Sequence, residues 1–302
     1  MDSLTVHSPA KVNLFLRILG KRKDGYHEIA TLFHRISLHD TLILHKTPAG
    51  VRIRTSHPKL PTDSRNLVWK AFHLLQKETS LPGGVFVEIE KQIPIGGGLG
   101  GGSSNAASFL LGMKKLYRLS ISNEKLSKIG LMLGADVNFF LSGFNQAMGY
   151  GVGEQLMPFP SLRKLWFVLV TFPKSISTSE VYRSYSLKFS KRNRPMRLQK
   201  GDFLTKENRV VKLPLSLQQG KFWNLAPFFV NDLEKVTSKL YPPVKQALWL
   251  FEQLGVETRQ MSGSGSTVFA VVGGKKKAEG LRKALLARRF RSYQNILIAH
   301  TY

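Results

Sequence analysis

Apolar and polar residues alternate along the first segment of the chain, LTVHSPAKVNLFLRIL. This period of two is typical of a β-strand, and it places Lys11 and Asn13 on the same side of that strand. The sequence at Asp24–Tyr26 then predicts a turn. Three further elements are predicted in the first third of the chain: a strand at Thr41–His45, a helix around Leu67–Lys77 and a strand at Val85–Glu90.

Two helices are predicted after a cluster of glycines. The first covers Asn105–Tyr117. The second covers Asn123–Leu133, with Ser122 as its N-cap and Gly134 as its stop. Strands and helices are therefore mixed along the first half of the chain, and no internal repeat is visible.

The composition changes near Pro158–Pro160, where an apolar strand at Leu165–Thr171 follows. We therefore expect a domain boundary there, with a first domain over residues 1–159 and a second over residues 160–302. The polar, basic stretch from about residue 188 to residue 212 predicts an exposed excursion. Two elements are predicted after it: a helix at Val244–Leu254 and a strand at Thr267–Val272.

With 302 residues, 42% of them hydrophobic, the chain is long enough to bury a core and to form about two domains. It contains no cysteine, which excludes disulfides, thiolate metal sites and cysteine nucleophiles and fits a reducing cytoplasm. The N-terminal segment lacks a signal-peptide pattern, and no apolar run reaches the length of a membrane span. We therefore expect a cytoplasmic protein with no membrane partner.

The formal net charge is +26, which favours anionic partners through long-range attraction. This charge is compatible with nucleic acid, anionic lipid or polyphosphate substrates as partners. Much of the excess lies in residues 188–200 and 275–291. In the second stretch Leu281, Leu285 and Leu286 keep a helical spacing, so the charges there are more simply interpreted as the solvated face of a helix.

The most specific motif is IPIGGGLGGGSSNAASFLL at Ile93–Leu111, which joins a predicted strand to a predicted helix. Glycines let the backbone approach an anion closely, and the helix N-terminus near Ser103 and Ser104 adds N–H donors and a favourable dipole. This combination predicts a phosphate cradle. It is neither a Walker A loop nor a dinucleotide fingerprint, and a flexible linker would not join a strand to a well-patterned helix.

A second cluster, Gln260–Thr267, is rich in serine and glycine and leads into a strand. By itself it is as readily an ordinary loop as a functional one. Its pairing with the first cluster suggests a second clamp on phosphates.

Asp136 and Lys11 stand out by their positions. Asp136 lies in Gly-Ala-Asp-Val, between the stop of a helix and an apolar run, in a chain with few acidic residues. Lys11 lies among apolar neighbours on a strand, where lysine is disfavoured on a covered face. The residues alone leave plainer readings open, namely a turn aspartate and an edge-strand lysine.

Together these segments resemble the GHMP small-molecule kinases. The resemblance is carried by PAKVNLFLRILGKRKDGYHEI, NLVWKAF, IPIGGGLGGGSSNAA, LGADVNFF, GVGE and NDLE, which begin at residues 9, 66, 93, 133, 151 and 231. It implies a two-domain α+β fold, with an N-terminal βαβ domain that carries the phosphate-binding glycine loop and a C-terminal ferredoxin-like domain. Asn138 departs from the pattern, because the family usually has proline at this position.

The resemblance also implies roles for individual residues. Asp136 is the expected catalytic carboxylate, as a base or as an orienter of the attacking hydroxyl, and Lys11 is its partner, which steadies negative charge. The expected ATP-binding residues are Pro94, Ile95, Gly96, Gly97, Gly98, Leu99, Gly100, Gly101, Gly102, Ser103 and Ser104, with Asn66, Leu67 and Lys91 on the adenine side. The expected substrate-binding residues are Tyr26, His27 and Tyr182 around a cytidine ring, and Asn13 and Thr178 around the erythritol and its phosphates.

The implied reaction is ATP-dependent phosphorylation of the 2-hydroxyl of 4-diphosphocytidyl-2-C-methyl-D-erythritol, a step of the non-mevalonate route to isoprenoid precursors. Mg²⁺ is expected with the nucleotide, without a metal ligand from the protein. One alternative is a GHMP kinase that acts on homoserine, mevalonate or galactose, against which the Asp-Gly-Tyr-His turn argues. A basic nucleic-acid-binding protein is a lesser alternative, because no recognisable binding motif accompanies the charge.

Overall fold

The computed structural model describes residues 1–159, 164–189, 202–204, 210–212, 229–288, 290 and 292–302. The strands in these ranges are β1 (Ser3–Lys21), β2 (His27–Thr47), β3 (Val51–Thr55), β4 (Gly84–Glu90), β5 (Gln146–Tyr150), β6 (Gln155–Pro158), β7 (Trp166–Thr171), β8 (Asp202–Leu204), β9 (Val210–Lys212), β10 (Arg259–Met261), β11 (Val268–Val272) and β12 (Asn295–His300). The helices are α1 (Leu67–Glu78), α2 (Gly101–Leu116), α3 (Asn123–Leu133), α4 (Ala135–Leu141), α5 (Thr178–Phe189), α6 (Glu234–Leu240), α7 (Pro242–Gln253) and α8 (Lys275–Leu286).

The chain forms two compact units, each built from three separate segments. The first unit contains Met1–Lys11, Ser37–Ile95 and Gly100–Phe144. The second contains Val12–Ile36, Gly96–Leu99 and Asn145–Tyr302. Strands β1 and β2 therefore contribute residues to both units. The predicted boundary between residues 159 and 160 stays a prediction.

The first unit contains a βαβ motif. Strands β3 and β4 are parallel, with Val51 opposite Val85, and α1 connects them. Strand β4 also pairs antiparallel with the last part of β2, where Thr41 lies opposite Glu90. The apolar faces of α1, α2 and α3 share one core with these strands, in which Phe72 and Phe109 are fully buried. The predicted βαβ arrangement is thus confirmed.

The second unit contains an antiparallel sheet in the order β10-β11-β7-β12. Numbered along the chain, this order is 2-3-1-4, and with its intervening helices it is the ferredoxin-like arrangement that the resemblance implied. The core of this unit combines apolar residues of β7 and β11 with those of α5, α6, α7 and α8. In addition, β5 pairs with β6 and with residues Thr31–His34 of β2.

Most of the predicted elements are present. Helices α1 and α3 have nearly the predicted bounds, and the Ser122 side chain caps α3 by accepting a hydrogen bond from the Lys125 N–H. Helix α2 begins at Gly101, about one turn before the predicted Asn105. Much of the predicted basic excursion lies outside the described residues. Within the described ranges, the helices are too short or too polar to cross a membrane.

Candidate active site

Lys11 and Asp136 form an ion pair in the first unit. The Lys11 Nζ lies 3.2 Å from the Asp136 Oδ2. The lysine side chain on β1 is 4% exposed, whereas the aspartate side chain in the first turn of α4 is 32% exposed. A solvent-borne hydroxyl group can therefore reach the carboxylate, while the ammonium group is held beneath it.

Gly100 joins the glycine loop (residues 93–104) to this ion pair. It is the N-cap of α2 and has a φ of +70°, in the left-handed region that favours glycine. A Cβ atom built on Gly100 would lie 3.1 Å from the Cε and Cγ atoms of Lys11. Helix α2 has no side-chain cap and no acidic residue in its first turn, so its first N–H groups remain suited to an anion.

The middle of the glycine loop, Gly96–Leu99, lies in the second unit, where it packs on the serine-glycine turn (residues 262–266). The Ser262 hydroxyl donates a hydrogen bond to the Gly98 carbonyl oxygen (2.9 Å). The Thr267 N–H donates to the Gly97 carbonyl oxygen (3.1 Å). A Cβ atom on Gly98 would clash with the Ser262 carbonyl oxygen, so this contact needs glycine. The two glycine clusters found in the sequence are therefore in direct contact.

Asp40, which sequence reasoning missed, holds the beginning of the loop. Its Oδ1 accepts hydrogen bonds from the Gln92 and Ile93 N–H groups, both at 2.8 Å. Its Oδ2 lies 2.6 Å from the Lys91 Nζ, and both side chains are almost fully buried. Burial lowers the pKa of Lys91, and attraction to Asp40 opposes this shift. Asp40 directly precedes the predicted strand Thr41–His45, and nothing in its local sequence marks it as a contact of the loop.

The residues predicted for the adenine side gather near the first turn of α2. A Cβ atom on Gly101 would lie 3.0 Å from the Lys91 Nζ, and one on Gly102 would lie 3.6 Å from the Leu67 Cδ1. Asn66 is the N-cap of α1: its Oδ1 accepts from the Val68 N–H, and its amide donates to the Pro61 carbonyl oxygen. The Asn66 side chain thus shapes the start of α1.

Pro94, Ile95 and Ser103 are half-buried along the loop, whereas Ser104 is fully buried. The Ser104 Oγ lies 2.8 Å from the hydroxyl of Ser8 on β1. The same hydroxyl lies 2.8 Å from the Asn105 Oδ1. Ser8 therefore fastens β1, the strand that carries Lys11, to the first turn of α2.

Asn138, at the position where the family usually has proline, is accommodated inside α4. Its amide donates a hydrogen bond to the Ser127 hydroxyl of α3 (2.9 Å). A Cβ atom on Gly130 would clash with the Asn138 Oδ1, so glycine at position 130 makes room for the asparagine. The side chain thereby ties α4, and with it Asp136, to α3.

In the second unit, His27 and Tyr182 lie together. Their ring centroids are 5.2 Å apart, and the His27 Nε2 is 2.7 Å from the Ser186 hydroxyl. Burial, followed by repulsion from Lys21, lowers the pKa of His27, which favours the neutral ring. Tyr26 is 65% exposed and presents its ring to solvent. Ser186 carried no sequence signal.

Asn13 and Thr178 also lie in the second unit. Asn13 is buried, and its amide donates a hydrogen bond to the Thr31 hydroxyl (2.7 Å). Thr178 is the first residue of α5, and its hydroxyl lies 2.9 Å from that of Ser264 in the serine-glycine turn.

The chain matches the sequence models of known kinases in both halves. Residues 66–150 match the GHMP kinases N terminal domain, and residues 217–292 match the GHMP kinases C terminal. A 4-diphosphocytidyl-2-C-methyl-D-erythritol kinase of Syntrophus aciditrophicus is 38% identical over 91% of this chain and 92% of its own length. The protein of the same name from Moorella thermoacetica is 35% identical over the whole of both chains. The chain belongs to the GHMP kinase family.

Solved structures agree with this membership. The crystal structure of a 4-(cytidine 5'-diphospho)-2C-methyl-D-erythritol kinase superposes with a TM-score of 0.76 at 32% identity, over 98% of both chains. A homoserine kinase from Cytophaga hutchinsonii shares the fold, with a TM-score of 0.70 at 16% identity, over 100% of this chain and 95% of its own. This GHMP kinase is an ATP-dependent small-molecule kinase with ATP as co-substrate.

Proposed function

We propose that this GHMP kinase transfers the γ-phosphoryl group of ATP to the 2-hydroxyl of 4-diphosphocytidyl-2-C-methyl-D-erythritol, in the non-mevalonate route to isoprenoid precursors. The observation that carries the proposal is the Lys11–Asp136 pair, 3.2 Å apart, with Gly100 of the glycine loop packed on the lysine. Relatives that bear the name of this activity are 35% or more identical over nearly the whole chain.

The chemistry requires positioning and charge stabilisation more than a strong base, because phosphoryl transfer passes through a loose transition state. The accessible Asp136 carboxylate accepts a hydrogen bond from the attacking hydroxyl. The buried Lys11 ammonium fixes the direction of that carboxylate and stabilises negative charge on the attacking oxygen. The open N–H groups of the first turn of α2 bind the nucleotide phosphates.

The remaining predicted residues receive roles by the same proposal. Tyr26 and Tyr182 stack on the cytosine ring, and His27, whose orientation Ser186 fixes, hydrogen-bonds its edge. Asn13 and Thr178 serve the erythritol and its phosphates. Leu67 lies against the adenine side of the nucleotide, while Asn66 and Lys91 shape that side from their places at the start of α1 and beneath Gly101.

We propose that Mg²⁺ accompanies the nucleotide, held by phosphate oxygens and water. The part of the chain that the structure describes contains no group of three or more His, Asp and Glu side chains suited to a metal. A cytoplasmic location stays a prediction from the sequence.

The proposed acceptor can be tested by ATP consumption with the purified full chain. We expect turnover with 4-diphosphocytidyl-2-C-methyl-D-erythritol and only background rates with mevalonate, homoserine and galactose. Turnover with one of the other three, and not with the first, would replace the proposed acceptor. ATP-independent binding of RNA without turnover on any of them would replace the proposed activity.

The proposed cytosine site predicts a selective effect of Tyr182→Ala. Loss of one stacking surface should raise KM for the cytidine-bearing acceptor at least about tenfold, while KM for ATP stays within about twofold. Trp249→Ala is the control, because Trp249 is an exposed aromatic residue of α7. An equal rise of KM for both substrates would refute the stacking role.

A further inference from the structure

We propose that three residues in and just after the Asn-Asp-Leu-Glu motif, namely Asn231, Glu234 and Thr237, position the serine-glycine turn, and that Asn231 is the principal one. The inference rests on the proposed function, because it concerns how the nucleotide and acceptor residues named there are held. All residues involved lie in the second unit.

Asn231 uses its whole side chain to hold the turn. Its Nδ2 donates hydrogen bonds to the carbonyl oxygens of Met261 and Gly263, both at 2.8 Å. Its Oδ1 accepts a hydrogen bond from the Leu233 N–H at 3.0 Å, which fixes the amide with its donors toward the turn. The residue is 8% exposed. An oxygen atom at the position of Nδ2 would face two carbonyl oxygens and could donate a hydrogen bond to neither.

Two neighbours of Asn231 hold the turn on either side. The Glu234 Oε2 accepts a hydrogen bond from the Met261 N–H (2.9 Å), and the Thr237 hydroxyl donates to the Ser264 carbonyl oxygen (3.1 Å). The backbone is thus fixed at Gly263 and Ser264 of the turn, and at Met261 directly before it, by groups from one short segment. Such buried hydrogen bonds specify one conformation, because leaving any of these groups unpaired is costly.

The turn held in this way presents two serines to two different parts of the site. The Ser262 hydroxyl donates to the Gly98 carbonyl oxygen of the glycine loop. The Ser264 hydroxyl pairs with the Thr178 hydroxyl, on the proposed acceptor side. One turn therefore sets both the nucleotide loop and an acceptor residue, and Asn231 sets the turn.

This arrangement predicts a distinct KM pattern for three variants of the full chain. Ser262→Ala should raise KM for ATP about fivefold and leave KM for the acceptor unchanged, and Ser264→Ala should do the reverse. Asn231→Asp has the same size but presents oxygen to both carbonyl groups, so it should raise both KM values about tenfold or more. The fall in kcat should be smaller in each case, because the proposed role of these residues is to position binding groups and not to take part in the transfer.

The control is Asp232→Asn, which alters the next residue of the motif. Asp232 pairs with Arg17 and accepts from the Ile18 N–H, and no described hydrogen bond joins its side chain to the turn. This variant should lower the thermal midpoint and leave both KM values within about twofold of wild type. It separates loss of stability from loss of positioning.

If Asn231→Asp does not fold, Thr237→Val tests the same idea by removing only the hydrogen bond to Ser264, and it should raise KM for the acceptor. Wild-type KM values in all the variants at Asn231, Thr237, Ser262 and Ser264 would overturn the positioning role. Wild-type protein without turnover would overturn the proposed function instead. In that case calorimetry with the ATP analogue AMP-PNP tests the positioning role without turnover. A weaker affinity of Ser262→Ala than of wild type would support the role, and an equal affinity would overturn it.

Discussion

At the scale of single residues, the two members of the Lys11–Asp136 pair differ in exposure. Since only the carboxylate is open to solvent, Asp136→Asn should remove most of the catalytic step and little of the nucleotide binding. We expect kcat to fall about a thousandfold, with the affinity for AMP-PNP within about threefold of wild type. Steady-state kinetics and calorimetry measure the two quantities.

Glu124→Gln serves as the control for this substitution, because Glu124 is an exposed carboxylate that pairs with Lys128 on α3. It should leave kcat unchanged. A kcat close to wild type in Asp136→Asn would remove Asp136 from the reaction. A loss of AMP-PNP binding as large as the loss of kcat would make its role one of nucleotide binding.

His34 gives a residue-scale prediction about stability. Burial lowers the pKa of His34 to about 3, and its Nε2 lies 3.3 Å from the Thr301 hydroxyl. The ordinary pKa of histidine is about 6.5, so between these values the unfolded chain binds a proton that the folded chain excludes. The free energy of unfolding should therefore fall as pH is lowered from about 6.5 toward 3.

The His34 contribution can be isolated with His34→Gln, which keeps a hydrogen-bonding group and removes the titration. We expect the free energy of unfolding, measured with urea, to fall by about 2 kcal/mol more for the wild type than for the variant between pH 7 and pH 5. Parallel pH profiles for the two proteins would show that His34 is not responsible.

At the scale of elements, Asp40 and Lys91 secure the passage from β4 to the glycine loop. Removing one partner of a buried ion pair leaves an uncompensated charge, so Asp40→Asn and Lys91→Met should each destabilise the fold by about 3 kcal/mol. The free energy of unfolding of the double variant should fall clearly less than the sum of the two single decreases. Urea unfolding of the four proteins measures this coupling.

The exposed Glu124–Lys128 pair provides the comparison for this cycle, and its coupling should be close to zero. Because the Asp40 pair lies beneath Gly101, the single variants should also raise KM for ATP more than KM for the acceptor. Additive single effects on stability would show that the two side chains act independently.

Elements with a local signal were predictable, and contacts between distant elements were not. Helix α3 has its cap and stop in adjacent residues, so its bounds follow from the sequence. The early start of α2 does not, because Gly101 is a weak helix former whose place is set by Lys91 and Ile93 beneath it. The same limit applies to Asp40, Ser186 and the Asn231 contacts, whose partners are remote in sequence or carry no motif.

The candidate site shows the same division. The glycine loop and Asp136 could be proposed from the sequence because their residue types are rare in their local context, and Lys11 and Asp136 lie 3.2 Å apart in the fold. Which residues support the site depends on side chains that meet only after folding.

At the scale of the whole molecule, the net charge of +26 should steer anionic substrates toward the enzyme. We expect kcat/KM for ATP to fall severalfold between about 20 mM and about 300 mM KCl, because salt screens long-range attraction. The kcat at saturating substrate is the internal control, since it does not include the encounter, and it should change little. A kcat/KM that is independent of salt would leave the charge without a role in catalysis.

The division of each unit into three segments has a consequence for synthesis on the ribosome. When the first 144 residues have emerged, every segment of the first unit is present, yet Val12–Ile36 and Gly96–Leu99 still await most of their own unit. Leu16, Ile18 and Ile29 then lack the partners that bury them in the finished protein. The nascent chain therefore passes through a stage at which these apolar residues lack their final partners, and exposed apolar surface of this kind makes aggregation compete with folding.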